Sequence, residues 1–150
     1  MGFYDDPENV KTYIQMCEDY DGSNIHHALA NSLPLDSSLL ELGSGAGLDI
    51  EFLQESYAVT GSDLSDEFLR ICKEKHPKIP FLKLDALKLN VDDKFDCIYS
   101  NKVLHHLTET ELKESLKQQI MNQNAFLLNI RALPDNRISD FLAYTKESWL

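Results

Sequence analysis

Leu39-Leu40-Glu41-Leu42 runs without a break into Gly43-Ser44-Gly45-Ala46-Gly47, and a new apolar pattern opens at Leu48. An apolar strand that ends on alternating glycines and restarts as a helix is a strand–loop–helix unit. Glycine lets the chain turn sharply there and lets a ligand approach the backbone closely. The same rhythm recurs downstream. Tyr57–Gly61 reads as a second strand, and Ser65 caps a helix to about His76 with Asp66 and Glu67 in its first turn. Phe81 to Leu84 follows Pro77 and Pro80 as a third strand, and Phe95 to Tyr99 is a fourth. Thr108 with Glu111 is a capping-box pattern that opens a helix through Ile120, and Ala125 to Ile130 is a fifth strand. Strands alternating with helices, joined by right-handed crossovers, predict an α/β fold: a doubly wound, mostly parallel sheet with helices on both faces.

Two helices are predicted ahead of this core. Pro7 suits a first helical position, with Tyr13, Ile14 and Cys17 at helical spacing, and a second helix spans Ser23 to about Ser32 before Pro34. The chain thus divides into a helical cap over 1–34, an α/β core over 35–131 and a tail over 132–150. Its 150 residues suit one domain.

Acidic residues outnumber basic ones, 25 to 14, for a net charge of −11. That field repels phosphate backbones and anionic lipid, and no Lys/Arg cluster overrides it, so neither nucleic acid nor membrane is an expected partner. The three cysteines form no CxxC pair, which predicts neither a disulfide framework nor a metal site. No apolar run approaches the roughly 20 residues of a membrane helix. Met1 to Asp6 lacks the basic and apolar regions of a signal peptide. A cytoplasmic location is the expectation.

In a parallel sheet, ligands sit at the carboxyl ends of the strands, near the switch in strand order. Glu41 stands at the tip of the first strand. A fixed carboxylate there repels a pyrophosphate and suits an ammonium group; the plainer alternative is a solvated Glu beside a glycine turn. The dinucleotide fingerprint G-x-G-x-x-G would need glycine where Leu48 stands. Asp63 ends the second strand about 20 residues further on, the spacing of a ribose-binding acid. Its competing role is a helix cap, for which Ser65 is the rival. Asp85, after the third strand, can accept the exocyclic amine of a base while the Ala86 N–H donates to a ring nitrogen, or Asp85 is simply a turn residue. Beyond the fourth strand, His106 is placed to act as a general base, or else packs beside the sheet. His26-His27 has no carboxylate near it in sequence and reads as structural or exposed.

Taken together, ELGSGAG, GSDLS, LDAL and FDCIYSNKVLHHL resemble the loops of the class I S-adenosylmethionine-dependent methyltransferases of the small-molecule type, over about Asn9 to Ile130. The resemblance implies a Rossmann-like domain with S-adenosylmethionine as cofactor and methyl transfer to a small-molecule O, N or C nucleophile. It implies that Glu41, Gly43, Gly45 and Ala46 line the methionine part, that Asp63 holds the ribose, and that Leu64 lies beside the adenine. Asp85 and Ala86 would read that base, Ser100 would lie near the sulfonium, and Tyr13 or Tyr20 would close the site. The fourth strand lacks the N-P-P-Y type sequence tied to methylation of amide or nucleobase nitrogens.

Two departures stand out. Met121-Asn122-Gln123-Asn124 replaces the usual Pro-Gly-Gly turn. The chain also ends where relatives continue with a helix and an antiparallel strand pair, so five strands are expected and that pair is expected to be absent. A domain without turnover, holding cofactor only, is the alternative reading; a nicotinamide-dependent oxidoreductase is a further one, disfavoured by Glu41 and Leu48. A bare fifth-strand edge, Ala125 to Ile130 without charge or proline, predicts self-association through that edge or an exchange of tails, with cover by the tail as the alternative.

Overall fold

The computed structural model describes residues 2–101, 103–132 and 138–145. A short 3-10 turn at Phe3–Asp5 leads into α1 (Pro7–Met16). Pro7 takes the first helical position, and the Asp6 carboxylate accepts from the Glu8 N–H at 2.9 Å. Helix α2 (Ser23–Ser32) has the predicted bounds. The core then alternates: β1 (Ser38–Leu42), α3 (Leu48–Leu53), β2 (Ala58–Asp63), α4 (Asp66–Lys75), β3 (Phe81–Lys83) and β4 (Phe95–Asn101). A 3-10 turn at Leu104–His106 precedes α5 (Glu109–Asn122), which runs straight into β5 (Gln123–Ala132). The predicted capping box is present: the Glu111 carboxylate accepts from the Thr108 N–H at 2.8 Å, and the Glu111 N–H donates to the Thr108 hydroxyl at 3.3 Å.

The sheet has the order β3-β2-β1-β4-β5-β6. Strands β1 to β5 all pair in parallel with one another. Alternate residues of β1 feed two cores, as a parallel sheet covered on both faces requires. Leu39 packs with Ile50, Val59 and Tyr99, and with Leu29 of α2. Leu40 and Leu42 pack with Phe95 and Ile98, against Leu116 and Ile120 of α5. The chain builds outward from β1 to β3 and then crosses back to β4. The switch point therefore lies between β1 and β4, where a crevice forms outside their carboxyl ends.

A sixth strand corrects the expectation of five: one antiparallel strand is present where none was expected. Strand β6 (Ile138–Thr145) runs antiparallel to β5, pairing Phe126 with Thr145 and Ile130 with Phe141. The tail covers the β5 edge, so the stated ground for self-association through that edge is gone. Thr145 to Leu150 reads in the sequence as the beginning of a helix, and all of it but Thr145 lies outside the described residues. Thr145 itself ends β6. β-Branched and aromatic residues such as Ile138, Phe141 and Tyr144 suit a strand once a partner edge exists. Among the described residues, no helix is long and apolar enough to cross a membrane.

Candidate functional site

The loop after β1 takes its shape from three left-handed residues: Gly43 at φ 72°, Gly45 at φ 51° and Gly47 at φ 74°. At Gly43 the space is also needed, since a Cβ would lie 2.2 Å from a methyl of Val103. Strand β2 pins the loop. The Ser44 N–H donates to the Ser62 carbonyl at 2.8 Å, and the Ser62 hydroxyl donates to the Glu41 carbonyl at 2.6 Å.

Asp63 ends β2 and accepts from two backbone N–H groups, those of Gly45 and Ser65, each at 2.9 Å. Burial raises its pKa above the ordinary aspartate value, against the pull of these bonds. Ser65 is the cap of α4: its hydroxyl accepts from the Phe68 N–H at 3.2 Å and donates to the Tyr4 carbonyl at 2.5 Å. Asp63 thus ties the glycine loop to the start of α4 and is not the helix's side-chain cap.

These strand ends open on a cleft of about 610 Å³, within the usual range for a small-molecule site. Gly43, Gly45, Asp63, Leu64, Asp85 and Ala86 line it. The N-terminal segment supplies Phe3, Tyr4 and Tyr13, and the stretch after β4 supplies Val103, His106 and Leu107. Tyr4, Tyr13 and Phe68 form an aromatic cluster with ring centroids 5.4–5.6 Å apart, which fixes α1 against α4. Leu64 is exposed, as is His106. Asp85 also accepts from the Leu87 N–H at 2.9 Å, so its turn role is real as well.

A side pocket of about 40 Å³ lies beside the cleft. Glu41, Ala46, Tyr20 and Asp49 line it alone; Tyr13, Gly43, Gly45 and Asn101 line both cavities. Glu41 is 2% exposed and its Oε2 has no hydrogen-bond partner among the described residues. Burial first, and the Asp49 charge second, push its carboxyl up to about 8. Ser100 is fully buried, its hydroxyl has no partner among the described residues, and it lines neither cavity, so the structure does not bring it to the site with the other residues.

A buried network under the loop was missed in the sequence. Asp49, in the first turn of α3, accepts from the Tyr20 hydroxyl at 2.7 Å and from His26 Nε2 at 2.9 Å on one oxygen. Its other oxygen accepts from the Tyr99 hydroxyl at 3.0 Å and from Asn101 Nδ2 at 3.1 Å. Burial alone would raise the Asp49 carboxyl; the bonds from His26, Tyr20 and Asn101 outweigh it and hold the pKa below the ordinary value. Burial and the Asp49 charge push the Tyr20 and Tyr99 hydroxyls up, which keeps them protonated donors. His26 also stacks on Phe52, with centroids 3.9 Å apart. The histidine does have a carboxylate partner, brought from another helix, while His27 is exposed. An Asp in a helix's first turn and a Tyr before a Gly turn are its signals in the sequence, and neither reveals the burial or the pairing.

No curated protein matches the sequence. Solved structures of methyltransferases share the fold. One is the S-adenosylmethionine-bound amino pentose methyltransferase of calicheamicin biosynthesis from Micromonospora echinaspora, 16% identical with a TM-score of 0.71. That match covers 86% of this chain but only 59% of the enzyme, so the chain spans less than two thirds of that relative's length. A TehB-like S-adenosylmethionine-dependent methyltransferase from Corynebacterium glutamicum is 18% identical, with a TM-score of 0.75 over 89% of this chain and 78% of its own. The magnesium protoporphyrin IX methyltransferase of Synechocystis, with bound S-adenosylhomocysteine, is 17% identical, with a TM-score of 0.72 over 87% and 70%. Residues 39–121, more than half of the chain and the stretch that carries β1, the glycine loop, Asp63, Asp85 and His106, match the family described as methyltransferase domain, and the chain belongs to that family.

Proposed function

We propose that the domain binds S-adenosylmethionine in the cleft at the strand ends and transfers its methyl group to a small-molecule nucleophile. The acidic lining of the site, with no cation beside it among the described residues, carries this reading. Glu41, Asp63 and Asp85 converge on the two cavities, and no lysine or arginine is among their described lining residues. A dinucleotide brings a pyrophosphate into that field; S-adenosylmethionine brings an ammonium and a sulfonium. The donor set fits as well. Gly43 and Gly45 leave the backbone open to close approach, the anchored Asp63 carboxylate suits a ribose diol, and Asp85 with Ala86 suits an adenine edge.

When bound, this cofactor supplies a methyl group already activated by the sulfonium and a neutral thioether as leaving group. The protein's part is then to align the acceptor and exclude water. The Tyr4–Tyr13–Phe68 cluster walls the cleft on the N-terminal side. His106, on the opposite run after β4, takes the proton from an acceptor that must lose one. The relatives' named substrates, an amino pentose and magnesium protoporphyrin IX, support a small-molecule acceptor.

Thermal unfolding with S-adenosylhomocysteine and with NAD tests the reading. At a hundredfold excess over Kd, selective binding stabilises the native state by about 2.7 kcal/mol, a rise in Tm of roughly 5–10 °C for a domain of this size. S-adenosylhomocysteine is expected to give that rise and NAD none. A shift with NAD alone would replace this reading with an oxidoreductase.

A further inference from the structure

We propose that the outer part of the cleft, between α1 and the stretch after β4, takes an uncharged aromatic acceptor with a phenolic hydroxyl, which is methylated on its oxygen. This names the acceptor class for the reading above and rests on it. The cleft lining divides by element. Asp63, Asp85 and the glycine loop stand at the strand ends, and they are the groups that suit the cofactor. Asn9, Thr12, Tyr13 and Met16 recur at helical spacing, so α1 turns one face to the cleft. Val103, His106 and Leu107 line it from the run after β4.

This outer part is apolar and holds no Asp, Glu, Lys or Arg among its described lining residues. Phe3 is 68% exposed and Met16 79%, and both line the cleft. Large apolar side chains gathered open to solvent along a cavity mark a binding surface. The α1 face spends its polar groups on the chain itself. Asn9 Nδ2 donates to the Phe3 carbonyl and the Thr12 hydroxyl to the Glu8 carbonyl, each at 2.9 Å. Burial pushes the Tyr13 hydroxyl up and keeps it neutral. A thioether and a phenyl ring are favourable neighbours for an aromatic ligand.

The chemistry of the occupant follows. A carboxylate or phosphate would meet Asp63 and Asp85 in the same cleft, with no lysine or arginine among the described lining residues to hold it. An ammonium would find no carboxylate in the outer part, and it cannot attack until it loses a proton. An uncharged ring meets neither cost. Its nucleophile follows from His106, which is exposed on the cleft. A phenol, with a pKa of about 10, hands its proton to a histidine far more readily than an aliphatic alcohol does. The oxygen–carbon bond forms as the carbon–sulfur bond breaks. The electron pair of that bond leaves with sulfur as a neutral thioether, and the phenolic proton goes to the His106 imidazole.

Calorimetric titration of the whole chain saturated with S-adenosylhomocysteine tests this with probes of one size: naphthol, naphthoate and naphthylmethylammonium. Naphthol is expected to bind at least about tenfold more tightly than either charged probe, because each of those buries a charge without a partner. The double variant Phe3→Ala with Met16→Ala alters two exposed side chains outside the core. It should weaken naphthol at least about tenfold and S-adenosylhomocysteine less than about twofold. With S-adenosylmethionine, naphthol should be converted to its methyl ether. His106→Gln should slow that conversion at least about a hundredfold and leave naphthol affinity within about twofold. Equal binding of the three probes, tighter binding of a charged probe or of an amino pentose, unchanged naphthol affinity in the double variant, or naphthol bound without conversion each overturns the acceptor class. All four leave the cofactor reading intact. A wild type that does not bind S-adenosylhomocysteine overturns the cofactor reading and this one with it.

Discussion

Glu41 shows how one residue carries both a cost to the fold and a preference for ligand. Its carboxyl is buried beside Asp49, and one oxygen has no partner among the described residues, so the folded state favours its neutral form. The pKa is raised from the ordinary value of 4.5 to about 8. A raised pKa contributes stability that is complete below the unfolded value and is lost as pH climbs through the folded one. The wild type is therefore expected to lose stability relative to Glu41→Gln between about pH 4.5 and about pH 8, and to run parallel to it above. Asp49 and Asp63 are common to both proteins, so the difference between their urea midpoints across pH reports Glu41. A difference that does not change with pH would mean that Glu41 is ionised throughout. Strand-end position made Glu41 and Asp63 legible in the sequence, because a parallel sheet sends its C-terminal tips to one crevice. Asn101 and Asp49 were not legible as a pair. Their link, a hydrogen bond across 52 positions, exists only once α3 and β4 lie side by side.

At the scale of elements, the glycine loop between β1 and α3 is held by a conformation and by a neighbour, and the two can be separated. Gly43 and Gly45 both have positive φ, which costs an L-residue about 1–2 kcal/mol. Only at Gly43 would a Cβ also collide, 2.2 Å from a Val103 methyl; at Gly45 the nearest atom is 3.7 Å away, in Tyr13. Gly45→Ala is expected to cost about 1–2 kcal/mol in urea unfolding, and Gly43→Ala a further 1–3 kcal/mol or so from overpacking. Equal costs would show that Val103 yields freely. Helix bounds and caps were readable because they are local: Pro7 behind Asp6, Ser65 at α4, and the Thr108–Glu111 box all act within four residues. Strand ends were less so. Strand β2 runs to Asp63, two residues beyond its apolar run, because pairing with β3 carries it on.

For the molecule as a whole, the decisive non-local event is the return of the tail. Strand β6 pairs along β5 from Phe126 to Ala132 and takes the place of solvent on that edge. Removal of residues 133–150 would leave the β5 N–H and C=O groups bare on a strand whose central residues, Ala125 to Leu128, are all apolar. Such an edge templates association. Sedimentation of the shortened chain is expected to show concentration-dependent self-association where the full chain shows less, and identical behaviour would mean that β6 is not what guards the edge. The net charge of −11 acts at this scale too. It makes a cationic ligand more welcome than an anionic one before any contact forms.

The order of strands and helices, the glycine turn, the helix caps and the acidic strand tips all follow from residues within a few positions of one another and can be read from the chain alone. Periodicity, cap chemistry and glycine's freedom at positive φ are short-range properties of a chain. Folding alone settles which groups end up as neighbours: Asp49 beneath Tyr20, His26, Tyr99 and Asn101, the raised carboxyl of Glu41, and β6 against β5. Each of those depends on burial and on contacts between distant segments. A residue's hydrogen bonds and charge state in the interior are set by what the fold packs around it, not by what stands beside it in the chain.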